Sequence, residues 1–169
     1  MVIYCASRGE FSGSEAVYAL LGHAFQTVYG GALPDVRKTP RGKPFFPERS
    51  DIHFSLSHAR THVLCALSGN PVGCDLESPR VISQRALKFF CSADELSMFD
   101  PLDLWVLKES YVKLFGWTVA SMRELRLSRE GDRIVGPDET VLLRLYRVAG
   151  CRAAVCSIGQ IPPDSIELV

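Results

Sequence analysis

The chain has 169 residues, of which 47% are hydrophobic, and its 19 basic residues balance its 19 acidic residues. A chain of this length buries roughly 68–70% of its unfolded surface, so a core forms without a disulfide or a metal. The balanced charge gives no overall attraction to a nucleic-acid backbone. We therefore expect no nucleic-acid partner, and any anion must meet a local basic site.

The first ten residues, MVIYCASRGE, lack the basic start and apolar run of a signal peptide. No window approaches the ~18 apolar residues of a membrane span. We therefore expect a cytoplasmic protein with no membrane partner. Of the six cysteines, Cys65, Cys74 and Cys156 lie in apolar strand-like runs, and no Cys-x-x-Cys pair suggests zinc. Reduced, mostly buried thiols are expected.

The first half of the chain is predicted to hold a strand, a helix and a loop, followed by more strands. The strand covers residues 2–6, and helical apolar spacing covers 14–30 after the cap candidate Ser14. Residues 30–51 are dense in Gly, Pro and basic residues, which indicates an ordered loop. The runs HFSLSH, HVLCALS and PVGCDLE then predict a sheet meander.

The second half is predicted to begin with helices and to end with strands. Helical patterns cover 83–90 and 92–99, and Ser92 and Glu95 form a capping box for the second. Asp100-Pro101 separates these from a longer helix at about 102–115, which Gly116 ends. Strands are predicted at 124–127, 140–146 and 151–158.

The run PVGCDLE carries two carboxylates on one face. Strand alternation separates Asp75 and Glu77 from Cys74 and Leu76 and puts the two acidic Cα atoms about 6.5–7 Å apart. Because like charges repel, a cation between them is one explanation, and a small set of carboxylate oxygens suits Mg²⁺. A solvated strand face is the other explanation.

The run LWVLKESYVKLFG places charged residues in an otherwise apolar helix. Glu109 and Lys113 are one turn apart, and a surface salt bridge between them would add only about 0.2–0.5 kcal/mol. Alternatively, Glu109 adds a third carboxylate to the strand pair and Lys113 approaches a phosphate. Lys108 points about 100° away and needs another role.

Two further segments offer groups that can donate to a phosphate. Ser57 and His58 end the first strand of the predicted meander with a hydroxyl and an imidazole. Lys43 lies between flexible Gly42 and rigid Pro44, which can hold its charge in a fixed loop. Each feature alone is also typical of an ordinary turn or surface loop.

Four motifs, taken in order, resemble those of the Sfp-type 4′-phosphopantetheinyl transferases: GKPFFP (42–47), HFSLSHARTHVLCAL (53–67), PVGCDLE (71–77) and LWVLKESYVKLFG (104–116). The resemblance implies an α+β fold of two pseudo-symmetric halves, each with antiparallel strands packed on a helix. It predicts one domain over 1–169. Residues 1–52 would form a reduced N-terminal half and connecting loop, and 53–169 the C-terminal half.

The resemblance also implies an enzyme that moves 4′-phosphopantetheine from coenzyme A to a serine of an apo acyl or peptidyl carrier protein. Adenosine 3′,5′-bisphosphate is released. By this resemblance Asp75, Glu77 and Glu109 hold Mg²⁺, Glu109 activates the carrier serine directly or through a metal-bound water, and Lys113 stabilises charge at the phosphate under attack. A monomer is expected, because both halves of the cleft come from one chain.

The coenzyme A contacts implied by the resemblance are Lys43, Ser57 and His58 at the 3′-phosphate or its neighbours, with Lys108 at the nucleotide end or orienting the site. The N-terminal half departs from the family pattern, since AVYALLG lacks the usual polar contacts there. The basic residues available instead are Arg8, Arg37, Lys38 and Arg41.

Two other functions fit the same residues. One is a non-catalytic module that binds a carrier protein or coenzyme A. Loss of a metal ligand would favour this function. The other is a Mg²⁺-dependent hydrolase of a nucleotide pyrophosphate, in which water replaces the carrier serine.

Overall fold

The computed structural model describes residues 1–169 as a mixed α+β protein with two main β-sheets packed face to face. The strands are β1 Val2–Ser7, β2 Arg37–Lys38, β3 Pro44–Phe45, β4 His53–His58, β5 His62–Ser68, β6 Val72–Glu77, β7 Ser128–Glu130, β8 Arg133–Val135, β9 Val141–Val148, β10 Cys151–Ile158 and β11 Glu167–Leu168. The helices are α1 Gly13–Tyr29, α2 Gln84–Phe90, α3 Ala93–Met98 and α4 Pro101–Phe115, with a 3₁₀ turn at Val119–Arg123.

The first sheet has the strand order β11-β1-β5-β4, and only its β1–β11 pair is parallel. Alternation along the strands divides their apolar side chains between its two faces. Tyr4 and Cys65 pack under helix α1 against side chains such as Leu21, whereas Ile3 and Leu64 face the other sheet. Helix α1 therefore covers the outer face of this sheet.

The second sheet is antiparallel, with the order β6-β10-β9-β8-β7. Its inner face, including Cys74 and Val155, packs on the first sheet, and helix α4 covers its outer face. A glycine brings α4 close to β6, because a Cβ on Gly73 would lie 2.1 Å from the Ser110 carbonyl oxygen. Helix α4 thus packs directly on the β6 backbone.

The predicted meander of three strands is wrong at its last member. Strand β6 does not pair with β5; the turn at 69–71 carries the chain from the first sheet to the second. Strands β4 and β6 meet edge to edge through side chains: Cys74 N donates to Ser55 Oγ at 2.9 Å and Leu76 N to Ser57 Oγ at 3.2 Å. The predicted boundary between the two halves, after residue 52, does not coincide with a boundary between sheets. Strands β4 and β5, which follow residue 52, lie in the same sheet as β1.

Helix ends follow local capping chemistry. The cap of α1 is Ser12 rather than the predicted Ser14, because the Ser12 hydroxyl accepts from Glu15 N and the Glu15 carboxylate accepts from Ser12 N. The predicted capping box of Ser92 is confirmed, and α4 ends at Gly116 in the left-handed conformation.

The remaining differences lie in the second half of the chain. The strand predicted at 124–127 is wrong, because this segment follows the 3₁₀ turn and precedes β7, and β11 had no sequence signal. All six cysteines are free thiols, and five of them are buried. No helix combines the length and apolar character required to cross a membrane.

Candidate functional site

Strands β4 and β6 and helix α4 border a cleft of about 390 Å³ where the two sheets meet. The cleft is lined by Leu56, Ser57, His58, Asp75, Leu76, Glu77, Trp105, Glu109 and Lys113. Six of the eight predicted site residues are in this set; Lys43 and Lys108 are not. The structure therefore brings together side chains from three separate motifs.

A hydrogen-bonded group lies at the centre of the cleft. The Lys113 amine contacts Asp75 Oδ1 at 2.7 Å and Ser57 Oγ at 3.0 Å, and the Ser57 hydroxyl donates to Asp75 Oδ1 at 2.8 Å. Asp75 is buried, and its second oxygen, Oδ2, has no hydrogen-bond partner. One carboxylate oxygen is thus held by a cation and a hydroxyl while the other is left free to bind.

Glu109 lies on the α4 face of the cleft, one turn before Lys113. Burial raises the pKa of Glu109 to about 7, and repulsion from Asp75 and Glu77 adds to this, although Lys113 opposes it. A carboxyl group with this pKa exchanges its proton near neutral pH. The surface salt bridge considered from the sequence alone is not formed, because Lys113 pairs with Asp75 instead.

Glu77 is held by a residue that sequence reasoning missed. The Arg80 guanidinium binds both carboxylate oxygens, with contacts of 2.9 Å and 3.1 Å. The same guanidinium lies 5.1 Å from the ring centroid of Trp105, which lines the cleft. An acidic and a basic residue three positions apart, as Glu77 and Arg80 are, can indicate an ion pair, but this spacing is also common in surface loops.

His58 lies at the mouth of the cleft beside the first turn of α1. A Cβ on Gly13 would come within 2.8 Å of the His58 ring, so the absence of a side chain there allows this close approach. The amino-terminal end of a helix carries partial positive charge and unpaired amides. This corner of the cleft therefore places the His58 ring beside the start of a helix, whose first turn also carries the Glu15 carboxylate that accepts from Ser12 N.

Lys43 lines a neighbouring cavity of about 260 Å³ that shares Leu56 and Lys113 with the first cleft. Its amine donates to the carbonyl oxygens of Leu114 and Val72. Burial lowers the pKa of Lys43. The amine therefore already binds the carboxyl end of α4 and is not directed freely towards a phosphate.

Lys108 lies in the core, so it does not contact the nucleotide end or the rim, and of its predicted roles only orienting the site stays a prediction. Its side chain is fully buried, and its amine binds Glu95 Oε1 at 2.8 Å and two backbone carbonyl oxygens, those of Phe90 and Leu125. Glu95 also accepts from the backbone N–H of Leu127 and Ser92. All three ammonium protons are used inside the core, because a buried charge must be fully paired.

The three carboxylates predicted to hold Mg²⁺ line one cleft but do not form a closed ligand group. No group of three or more His, Cys, Asp or Glu side chains is arranged to hold a metal ion. Glu77 is occupied by Arg80 and Asp75 by Lys113. The donor chemistry nevertheless fits Mg²⁺, since the donors are carboxylate oxygens and Asp75 Oδ2 is buried and unpartnered.

The known proteins that the chain is similar to are of the same kind as those that the four motifs resemble. The chain is 32% identical over 145 residues to the 4′-phosphopantetheinyl transferase Sfp of Bacillus subtilis (strain 168), covering 76% of this chain and 65% of that protein. The gsp 4′-phosphopantetheinyl transferase of Aneurinibacillus migulanus is 37% identical over 92 residues, 47% of this chain and 37% of that protein. The psf-1 4′-phosphopantetheinyl transferase of Bacillus pumilus is 28% identical over 169 residues, 89% of this chain and 72% of that protein.

No family model matches the chain. The chain spans 65% of the length of the Bacillus subtilis Sfp protein and 37% of the Aneurinibacillus migulanus protein. The matches to several relatives, over most of the chain in two cases, confirm the resemblance drawn from the four motifs. The chain is therefore similar, over most of its length, to Sfp-type 4′-phosphopantetheinyl transferases.

Proposed function

We propose that the chain transfers 4′-phosphopantetheine from coenzyme A to a serine of an apo acyl or peptidyl carrier protein and releases adenosine 3′,5′-bisphosphate. The observation that carries the proposal is a single cleft holding Glu109, whose pKa is raised to about 7, together with the cationic Lys113. The reaction class is supported by the names of the relatives, which are 4′-phosphopantetheinyl transferases.

In the proposed reaction, the carrier serine oxygen forms a bond to the phosphorus that bears the pantetheine group. The bond from that phosphorus to the oxygen of the nucleotide part breaks, and Glu109 accepts the serine proton. A base is most effective when its pKa lies near the working pH, and a pKa of about 7 meets this condition. Lys113 would offset negative charge on the phosphate oxygens.

The nucleotide end of coenzyme A is proposed to lie at the His58 corner of the cleft. His58 and the first turn of α1, beginning at Gly13, lie side by side there. Backbone amides at a helix amino terminus and an imidazole are both suited to a phosphate. This corner is our candidate for the 3′-phosphate, with Lys43 at most in a supporting role because its amine binds two carbonyl groups.

Asp75, Glu77 and Glu109 would hold Mg²⁺. When bound, the ion would supply positive charge to the pyrophosphate. The elements that line the cleft, β4, β6 and α4, all belong to one chain. We therefore propose that the protein acts as a monomer, which sedimentation or light scattering would measure.

Mass spectrometry of an apo carrier protein incubated with coenzyme A, Mg²⁺ and this protein tests the proposal. The expected result is a carrier that gains the mass of phosphopantetheine on its serine, with both acyl and peptidyl carriers assayed. Glu109→Gln should lose the transfer. The matched control Glu130→Gln, which removes the same charge from an exposed position on β7, should keep it.

A parallel incubation without a carrier distinguishes the other functions. Release of adenosine 3′,5′-bisphosphate from coenzyme A alone would indicate a hydrolase. Binding of coenzyme A or carrier without a covalent product would indicate a non-catalytic module. Either result would replace the transferase proposal.

A further inference from the structure

We propose that Arg80 competes with a divalent cation for Glu77, so that the arginine must release this carboxylate before all three carboxylates of the cleft can bind one ion. The inference rests on the proposed function only in assuming that the cleft binds such an ion. It concerns a residue outside the four motifs that define the resemblance.

The first support is that Arg80 binds both carboxylate oxygens of Glu77. Arg80 Nη2 lies 2.9 Å from Glu77 Oε1 and Arg80 Nε lies 3.1 Å from Glu77 Oε2, so both carboxylate oxygens accept a hydrogen bond from the same guanidinium. Such a bidentate pair fixes the plane of the carboxylate as well as its position. While it persists, Glu77 has no oxygen free of the arginine.

The second support is that Arg80 is held from another side. Its guanidinium lies over the Trp105 ring, 5.1 Å from the ring centroid. Trp105 in turn meets Phe90 edge-on, with the centroids 5.1 Å apart. Trp105 belongs to helix α4, which also carries Glu109, so one side chain links the α4 wall of the cleft to the end of β6.

The third support is the contrast with the neighbouring carboxylate. Asp75 keeps one buried oxygen, Oδ2, without a partner, whereas Glu77 keeps none. The Arg80–Glu77 pair is also accessible, with the two side chains 42% and 25% exposed. Exposed pairs are weak, so a divalent cation that gains a third carboxylate can displace the arginine. The pair would therefore lower cation affinity without preventing binding.

Isothermal titration of MgCl₂ into the protein, without coenzyme A or carrier, tests this competition. Arg80→Met keeps an unbranched apolar side chain against Trp105 but cannot bind Glu77, and it should lower the Kd for Mg²⁺ about fivefold. In a Glu77→Gln background the same Arg80→Met substitution should change the Kd by less than about twofold, because no carboxylate is left to be released.

A charge control separates competition from simple repulsion of the ion. The backbone N–H of Arg60 donates to Ser78 Oγ beside the end of β6, so Arg60→Met removes a positive charge from the same region without touching Glu77. It should leave the Kd nearly unchanged. The proposal is overturned by an unchanged Kd in Arg80→Met, by an equal gain in Arg60→Met, by a full gain in the Glu77→Gln background, or by the absence of Mg²⁺ binding in every variant.

Trp105 provides a second readout that is independent of catalysis. The chain has two tryptophans, so a Trp117→Phe background isolates Trp105 emission. Mg²⁺ should change that emission when Arg80 leaves the ring, and the change should vanish when Arg80→Met is added. Emission that never responds to Mg²⁺ would contradict release of the arginine. Because neither measurement uses the transfer reaction, the result is separate from the success or failure of the proposed function.

Discussion

The Ser57 hydroxyl donates a 2.8 Å hydrogen bond to Asp75 Oδ1 across the line where the two sheets meet. The same hydroxyl accepts from the backbone N–H of Leu76 at 3.2 Å. Ser57 therefore orients a carboxylate of the cleft and also provides the hydrogen-bond acceptor for a buried backbone N–H. This differs from the phosphate contact that the sequence resemblance implied, because its hydroxyl is fully engaged by protein groups.

Replacement of Ser57 by Ala should affect both stability and the site. The variant leaves the Leu76 amide without its partner, which should reduce the free energy of unfolding by about 1–3 kcal/mol in urea titrations. Ser55→Ala is the matched control, since Ser55 Oγ accepts from Cys74 N but does not touch Asp75. Both variants should lose stability, but only Ser57→Ala should also lose transfer activity. Equal activities in the two variants would contradict a role for Ser57 in orienting Asp75.

The local elements were predictable from the sequence because they depend on periodicity and capping, which act over a few residues. Helix α4, from its cap at Asp100 to Gly116, is the clearest case. The clustering of Asp75, Glu109 and Lys113 followed from the motif resemblance. It did not follow from their spacing, which fits a solvated strand or a surface salt bridge equally well.

The long-range relationships were not predictable in the same way. Strands adjacent in sequence usually pair, which favoured β6 beside β5, but the core between the sheets requires β6 to pair with β10. The burial of Lys108 also depends on a long-range contact. A lysine on an apolar helix can lie at a rim or in a core, and the choice depended on Glu95, an acidic partner from another helix.

Glu109→Gln should change how stability depends on pH in metal-free buffer. The folded pKa of about 7 lies above the ordinary value of 4.5, so the folded protein holds an extra proton between these values. Wild-type stability therefore falls as pH rises from about 4.5 to 7 and the penalty stays constant above 7. The variant should be more stable than wild type by about 1–2 kcal/mol at pH 8, after solvent screening at this half-buried position.

Urea titrations of both proteins from pH 5 to pH 8, with EDTA present, measure this difference. The advantage of Glu109→Gln should shrink towards pH 5, where the wild-type carboxyl is protonated as well. A difference that is constant across the whole range would show that Glu109 titrates near its ordinary value.

Lys108→Met should be strongly destabilising. It leaves the buried Glu95 carboxylate without its cation and removes the donor to the Phe90 and Leu125 carbonyl oxygens. Breaking one partner of a buried ion pair costs about 3–5 kcal/mol. Adding Glu95→Gln should recover part of this loss, and thermal or urea unfolding of the four proteins gives the coupling. A loss below about 1 kcal/mol in the single variant would show that Lys108 is accessible to solvent.

His58→Ala and Lys43→Met should affect coenzyme A recognition differently. If His58 and the start of α1 bind the 3′-phosphate, wild type should bind coenzyme A more tightly than dephospho-coenzyme A, and His58→Ala should reduce that preference. The charge-assisted contacts at stake are worth about 1.5–3 kcal/mol. Lys43→Met should retain the preference, because the Lys43 amine already binds two carbonyl oxygens. Titration of both ligands against the three proteins checks this, and the reverse pattern would assign the phosphate to Lys43.

Substitution by alanine should change the stability of the protein in opposite directions at two glycines. Gly73→Ala places a Cβ 2.1 Å from the Ser110 carbonyl oxygen and should cost about 3 kcal/mol or more, since helix α4 must move away from β6. Gly22→Ala, inside α1 with no atom within 4 Å of the added Cβ apart from the backbone of the same helix and its chain neighbours, should stabilise by about 0.5–1 kcal/mol. Thermal denaturation of both variants checks the contrast, and a tolerated Gly73→Ala would mean that α4 packs more loosely on β6.

The serine bonds between β4 and β6 also bear on association between chains. Both strands lie at the edge of their sheets, where unpaired backbone groups can recruit a strand from another molecule. Ser55 and Ser57 occupy the Cys74 and Leu76 amides of β6, so in the folded protein these amides cannot pair with another strand. If the sheets separate even briefly, the run VGCDLE presents an open edge. Loss of both serines should therefore promote aggregation under conditions in which most of the molecules are still folded.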